Sequence, residues 1–273
     1  MKRRGIGLIV LLLCVLSGLV VAIFTPALAM NLTLPAAKTG VSTVTGGQHA
    51  QPVATTAATA TKPAPTVQPT LPSGVTVLAQ DTFQRNDQAF WGVASDQHMW
   101  EGDANNSPAF TIADKIGQIS GQLAGGQHAL QATFNVMSND AELFISGSVS
   151  QFDANGNSNL GAVLRWQDTN NWYKALIDGT HLQLLKSVKG KQTVLAEHAF
   201  QAIGGTKYGL RFRIQGSNLF ARAWPLAQQE PATWTVMDGD TQFTSGMSGI
   251  RVKVVSGVLI LVTAFRETSV PQM

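Results

Sequence analysis

Beyond residue 78 the chain is a succession of short apolar runs divided by polar and glycine-rich clusters. The run Tyr208-Gly-Leu-Arg-Phe-Arg-Ile214 alternates strictly, with Tyr208, Leu210, Phe212 and Ile214 on one side. Such alternation marks a strand with one buried face. Shorter runs of strand character cover 111–112, 116–119, 129–134, 141–146, 161–166, 172–177, 182–188, 219–224, 250–255 and 258–265. Between them sit clusters with turn chemistry: Asp153 to Asn159, Asp168 to Asn171, Asp178-Gly179, Lys189-Gly190, Gln215 to Asn218 and Ser256-Gly257. No long stretch after residue 78 carries a helical period. Many short strands at regular spacing predict an all-β, antiparallel sandwich or barrel.

The first 78 residues follow other rules. Lys2-Arg3-Arg4 precedes an uncharged apolar run from Gly5 to Phe24, and Ala27-Leu28-Ala29 follows. Residues 1–29 therefore read either as a signal peptide cut before Met30 or as an uncleaved signal-anchor helix. Either way the basic end stays cytoplasmic and the remainder is exported. Lipid attachment at Cys14 fits less well, because Leu13 stands where a small residue is expected. Residues 30–78 are rich in Thr, Ala and Pro, lack aromatic residues and hold no hydrophobic period. This is the composition of a disordered linker. The organisation expected is a leader (1–29), a stalk (30–78) and one sandwich domain (79–273), displayed on the outer side of a cell membrane or secreted.

Charge and cysteine content narrow the picture further. The formal net charge is +3, yet the five basic residues before Asp81 face no acidic ones. From Asp81 onward 14 basic residues meet 16 acidic ones, a net of −2. The domain thus lacks the basic surplus of a nucleic-acid binder. Cys14 is the sole cysteine, so the domain holds no disulfide and no thiolate metal site. A domain of this size can dispense with disulfides, which agrees with an exported bacterial protein.

One stretch carries a family likeness. Gly161-Ala-Val-Leu-Arg-Trp-Gln-Asp-Thr-Asn-Asn-Trp-Tyr-Lys-Ala-Leu-Ile-Asp-Gly179 resembles the central hairpin of bacterial extracellular domains in the concanavalin A-like lectin/glucanase superfamily, of laminin-G-like type. The opening Asp81-Thr-Phe-Gln-Arg85, with Trp91-Gly92 and Trp100, is similar to the start of those domains. So is the late stretch of Leu219 to Trp224, Glu230-Pro231, Trp234 and Gly246 to Ile250. The resemblance implies a jelly-roll of two antiparallel sheets. The acidic pair that often precedes the last Phe is absent here, where Thr263-Ala264-Phe265-Arg266 stands.

Candidate chemistry is sparse. Glycoside cleavage needs two carboxylates facing one site, which on a strand would read Glu-x-Asp-x-Glu. The five glutamates, Glu101, Glu142, Glu197, Glu230 and Glu267, form no such run. Asp140-x-Glu142 reads as a solvated strand end. His98, His128, His181 and His198 accompany neither a nucleophile elbow nor a metalloprotease helix. No cofactor is implied; calcium is the metal candidate, at Asp153, Asn155 and Asn157, whose oxygens recur on alternate residues, and with less support at Asp238-Gly-Asp240. Sugar recognition is served by aromatic faces with planar polar groups, and the candidates are Arg165, Trp172, Tyr173, Arg211 and Arg213. By parity these three arginines point away from the core, and on a shared sheet they would line one groove. The resulting expectation is a non-catalytic binding module for glycan. The alternative partner is a surface protein, with a glycoside hydrolase less favoured. The membrane contact is the leader helix if it is uncleaved.

Overall fold

Residues 74–124 and 128–270 are described in a computed structural model of the chain. The leader and nearly all of the stalk lie outside these residues. Among the described residues no helix is long and apolar enough to cross a membrane.

The described chain forms 16 strands. They are β1 (Val77–Asp81), β2 (Gln88–Ala89), β3 (Trp100–Gly102), β4 (Phe110–Ala113), β5 (Ile116–Ser120), β6 (His128–Ser138), β7 (Ala141–Val149) and β8 (Leu160–Asp168), followed by β9 (Asn171–Ile177), β10 (His181–Val188), β11 (Lys191–Ala199), β12 (Tyr208–Gln215), β13 (Asn218–Pro225), β14 (Val236–Gly239), β15 (Gly246–Val254) and β16 (Leu259–Ser269). One 3-10 turn, Asp103–Asn105, is the helical element among them. Every run of apolar pattern named above falls on a strand. β1 opens at Val77, inside the expected stalk.

The strands divide into two antiparallel sheets. The nine-stranded sheet runs β14-β13-β12-β7-β16-β5-β4-β2. In it β16 is flanked on one side by β5 along Leu259–Val262 and by β1 along 265–268. The seven-stranded sheet runs β11-β10-β9-β8-β15-β6-β3. Sequence neighbours β8 to β11 form a meander, while β15 returns from the far end of the chain to lie between β8 and β6.

The alternation on β12 resolves as expected. Tyr208, Leu210, Phe212 and Ile214 are buried between the sheets, and Arg211 and Arg213 face outward. An aromatic cluster closes one part of the core, with Trp100 centred 5.0 Å from Trp91, 3.9 Å from Phe134 and 5.1 Å from Phe265. Each buried ring contributes about 1.5–3 kcal/mol through area removed from water. Asp81 is fully buried beside this cluster and accepts hydrogen bonds from Trp100 Nε1 (2.7 Å), the Phe83 N–H (2.8 Å) and both arms of Arg85 (2.8 and 3.0 Å). These bonds offset the cost of burying the carboxylate. They also give a physical role to the opening Asp81–Arg85 signature and its two tryptophans.

Parity fails on β8. Pairing with β9 shifts register between Leu164 and Asp168, and Arg165 sits there in the left-handed region at φ 49°. A bulge of this kind adds a residue to one strand and re-aims its neighbours. Trp166 therefore joins Val163 on the outer face, against the side that simple alternation gives it.

Candidate functional site

The outer face of the seven-stranded sheet holds a cleft of ≈ 300 Å³. Its floor comes from β9, β10 and β15, one wall from β11, and the other from the loop between β7 and β8. On β9 the residues alternate cleanly. Tyr173, Ala175 and Ile177 enter the core, while Trp172, Lys174 and Leu176 face outward. On β15, Arg251 and Lys253 border the same cleft. Gln183 and Leu185 of β10 and Asn155, Asn159 and Asp178 of the loops complete the polar and apolar lining.

Lys174 is the unusual group. Its side chain lies in the middle of a strand that is otherwise apolar, and the residue is 4% exposed. Nζ donates to Asn159 Oδ1 at 2.9 Å. The same oxygen accepts the Lys253 N–H at 3.1 Å, and the Asn159 N–H donates to Lys253 O, so Asn159 pins the loop onto β15. Burial, reinforced by Arg251 and Lys253, pushes the Lys174 amine well below the ordinary lysine value. Gly161, on the adjacent strand β8, makes room for it. A Cβ there would fall 2.2 Å from Lys174 Cε and 2.6 Å from Arg251 O.

Arg251 lies over the rings of Trp172 (5.2 Å) and Trp166 (5.4 Å) and donates to Gln131 Oε1 at 2.7 Å. Its partners are thus ring faces and a neutral amide. Among the described residues no carboxylate forms an ion pair with Lys174, Arg251 or Lys253. The one carboxylate lining the cleft, Asp178, accepts from the Thr180 N–H and hydroxyl and the His181 N–H.

The five candidate ligand-binding residues are distributed over four places. Trp172 does line the cleft, but it is almost wholly buried, with its indole N–H donated to Thr169 O. Tyr173 points into the core, where its hydroxyl donates to Asp240 and accepts the Phe243 N–H. Burial, followed by the Asp240 bond, raises its pKa to about 12. Arg165 belongs to the seven-stranded sheet and Arg211 and Arg213 to the other, so the shared groove expected for the three does not form. The bulge turns the Arg165 guanidinium into a cluster of loop carbonyls, those of Asn139, Phe243 and Gly216, with Asp140 alongside.

Arg211 and Arg213 sit on the opposite outer face in a network with Arg222, Glu142 and Glu230. Arg211 donates to Glu230 Oε1 (2.5 Å) and Oε2 (2.8 Å) and to Glu142 Oε1 (2.6 Å). Arg213 donates to Glu142 Oε2 (2.7 Å), and Arg222 to Glu230 Oε1 (2.8 Å). Burial works against the Arg211 charge, yet the two glutamates outweigh it and raise its pKa. Asp140 and Glu142, expected as a solvated strand end, are instead held, Glu142 by Arg211 and Arg213, and Asp140 by Arg165 and the Gly216 N–H. In the calcium candidate loop, Asp153 Oδ1 accepts the N–H of Asn157 (2.5 Å) and of Ser158 (3.0 Å), and Oδ2 accepts Asn157 Nδ2 (3.0 Å). Asn155 borders the cleft.

Sequence reasoning passed over Lys174, Arg251, Lys253 and Asn159. The signal was present in two places: a lysine at the parity of Trp172 and Leu176, and the alternation Arg251-Val252-Lys253-Val254.

No family model matches the chain, and no curated protein matches it. Solved structures do. Xylan β-1,4-xylosidase from Bacillus halodurans aligns with a TM-score of 0.50 and 11% identity over 69% of this chain. The GH43 BlXynB protein from Bacillus licheniformis aligns with 0.50 and 14% over 70%. The domain shares its two-sheet antiparallel sandwich fold with parts of these two structures. This chain spans 38% and 39% of those two enzymes, so the likeness concerns one part of each. Carbohydrate binding module CBM66 from Bacillus subtilis also aligns, with a TM-score of 0.45 and 18% identity over 60% of this chain and 94% of the module.

Proposed function

We propose that this domain is a non-catalytic glycan-binding module, held outside the cell by its leader and stalk, and that its ligand lies in the cleft on the seven-stranded sheet. The observation that carries the reading is the lining of that cleft. Val194 is exposed on the β11 wall and offers apolar surface to a sugar ring, over a floor of Leu176, Leu185 and Trp172 that is itself nearly closed to solvent. Gln183, Asn155 and the cations offer donors and acceptors to hydroxyls. The reading is non-catalytic because glycoside cleavage takes two carboxylates, and Asp178 is the one carboxylate among the described residues that line the cleft. The xylosidases and the carbohydrate binding module with this sandwich act on or bind sugars, and the proposal assigns a sugar to this one as well.

The test is a glycan array probed with wild type, Arg251→Gln and Arg211→Ala. Glycan signal that Arg251→Gln abolishes and Arg211→Ala leaves intact supports the cleft. Signal lost in Arg211→Ala alone moves the site to the opposite sheet. Folded protein that binds no glycan removes the proposal in favour of a protein partner.

A further inference from the structure

The two outer faces of the sandwich pair their cations to different degrees, although Arg266, beside Arg211 on the nine-stranded sheet, forms no ion pair among the described residues. On the nine-stranded sheet Arg211, Arg213 and Arg222 are each bonded to Glu142 or Glu230. In the cleft Lys174, Arg251 and Lys253 are gathered without any such partner among the described residues. Burial above all, and then the neighbouring Arg251 and Lys253, disfavour the charged form of the Lys174 amine. A fold can hold such a cluster at modest cost if a bound anion later relieves it.

We propose that the cleft takes a carboxylate-bearing sugar, a uronate unit, whose carboxylate sits among Lys174, Arg251 and Lys253. This rests on the cleft being the glycan site. Arg251 has a planar fork suited to a carboxylate. Its one hydrogen-bond partner is the Gln131 amide, so donors remain for a ligand. Lys174 likewise uses Nζ toward a single neutral acceptor, Asn159 Oδ1. Asp178 is the opposing charge in the lining, and its contacts with Thr180 and His181 draw Oδ1 toward the turn of its own hairpin. Exposed Val194 on the wall of the cleft suits a ring that carries one charged substituent, in preference to a bare inorganic anion. The aromatic pair beneath Arg251 fixes the guanidinium from below and leaves its edge as the contacting part.

The test is calorimetry on the full chain with oligomers of galacturonate, glucuronate and mannuronate. Each is compared with its carboxyl-reduced, neutral counterpart. The expected result is that at least one acidic oligomer binds about tenfold more tightly than its reduced form, and that the margin shrinks as salt is added. Lys174→Met removes a buried amine without opening a void, so it should fold. On its own it should shrink the margin between each acidic oligomer and its reduced form, while Arg251→Gln should weaken the binding of both. Equal binding of acid and reduced forms, or binding of neutral glycans alone, overturns the uronate assignment and leaves the cleft reading standing. Folded protein that binds neither acidic nor neutral glycans overturns both.

Discussion

Arg165 offers the sharpest separation between a residue that contacts ligand and one that holds the fold. Its Nε donates to Asn139 O at 2.8 Å, Nη1 to Phe243 O at 2.7 Å, and Nη2 to Gly216 O at 2.8 Å and Asp140 Oδ1 at 3.2 Å. These acceptors belong to the β6–β7 turn, the β12–β13 turn and the segment leading into β15, so one side chain ties three connections together. The residue is 3% exposed. Hydrogen bonds to a charged group are worth about 1.5–3 kcal/mol each. Water entering from the adjoining ≈ 350 Å³ cavity would recover part of that for the freed carbonyls. Arg165→Ala should therefore cost about 3–5 kcal/mol, in the range for breaking a buried pair from one side. Arg165→Gly should cost about 1 kcal/mol less than Arg165→Ala, because glycine relieves the left-handed φ of 49° at this bulge. Urea unfolding followed by tryptophan fluorescence measures both variants. Arg165→Ala unfolding within about 1 kcal/mol of wild type would refute the clamp. So would a variant of unchanged stability that has lost glycan binding, since it would place Arg165 at the ligand.

Other outcomes can be checked alongside. Burial raises the pKa of Glu267, against the hydrogen bonds that Ser248 (2.6 Å) and Ser138 (2.8 Å) donate to it. With the native value above the unfolded one, the stabilising contribution is full at acidic pH and is lost as pH rises through the native value. Glu267→Gln should abolish that slope and gain about 1 kcal/mol at neutral pH; melting curves that stay parallel to wild type across the acidic range would disprove it. Gly161→Ala should displace Lys174 and Arg251 from the cleft floor, given the 2.2 Å approach to Lys174 Cε. The expected result is a stability loss of about 1–3 kcal/mol with loss of glycan signal, and unchanged binding would argue against the cleft. Calcium should move the melting temperature by less than about 1 °C, because Asp153 already accepts three donors within its loop. A saturable rise on titration would instead show binding to the native state.

The fold was legible wherever one strand face is buried. Alternation on β12 and the apolar runs of β7, β8, β9, β10, β13, β15 and β16 all mark strands, because burial of one face writes a period of two into the sequence. β11 escaped notice for the converse reason. Lys191–Ala199 lies at a sheet edge with every residue exposed or half-exposed, so its one short apolar run, Val194-Leu195-Ala196, shows no alternation. β2, β3 and β14 are two to four residues long, too short to establish any period. The bulge at Arg165 is a third kind of failure. One residue with positive φ reverses inside and outside for everything after it on the strand, and no local rule in the sequence announces it.

The candidate site was less legible, and residue type alone explains why. Arginine and aromatic side chains occur on both outer faces, so their abundance does not choose between the faces. What distinguishes the Arg211–Arg213–Arg222 cluster from the cleft cations is pairing, with Arg266 standing outside that network on the same face. Glu142 arrives from β7 to meet Arg211 and Arg213 of β12, and Glu230 from beyond β13 to meet Arg211 and Arg222. Those contacts follow from which strands become neighbours, and the sandwich topology decides that. An arginine so paired has its donors occupied and its charge neutralised before any ligand arrives. The cations of the cleft stand on β9 and β15, separated in the chain by five intervening strands and brought close by the placement of β15 next to β8. Among the described residues no carboxylate forms an ion pair with them, and Asp103 acts on Arg251 from a longer range. The uronate proposal rests on that imbalance.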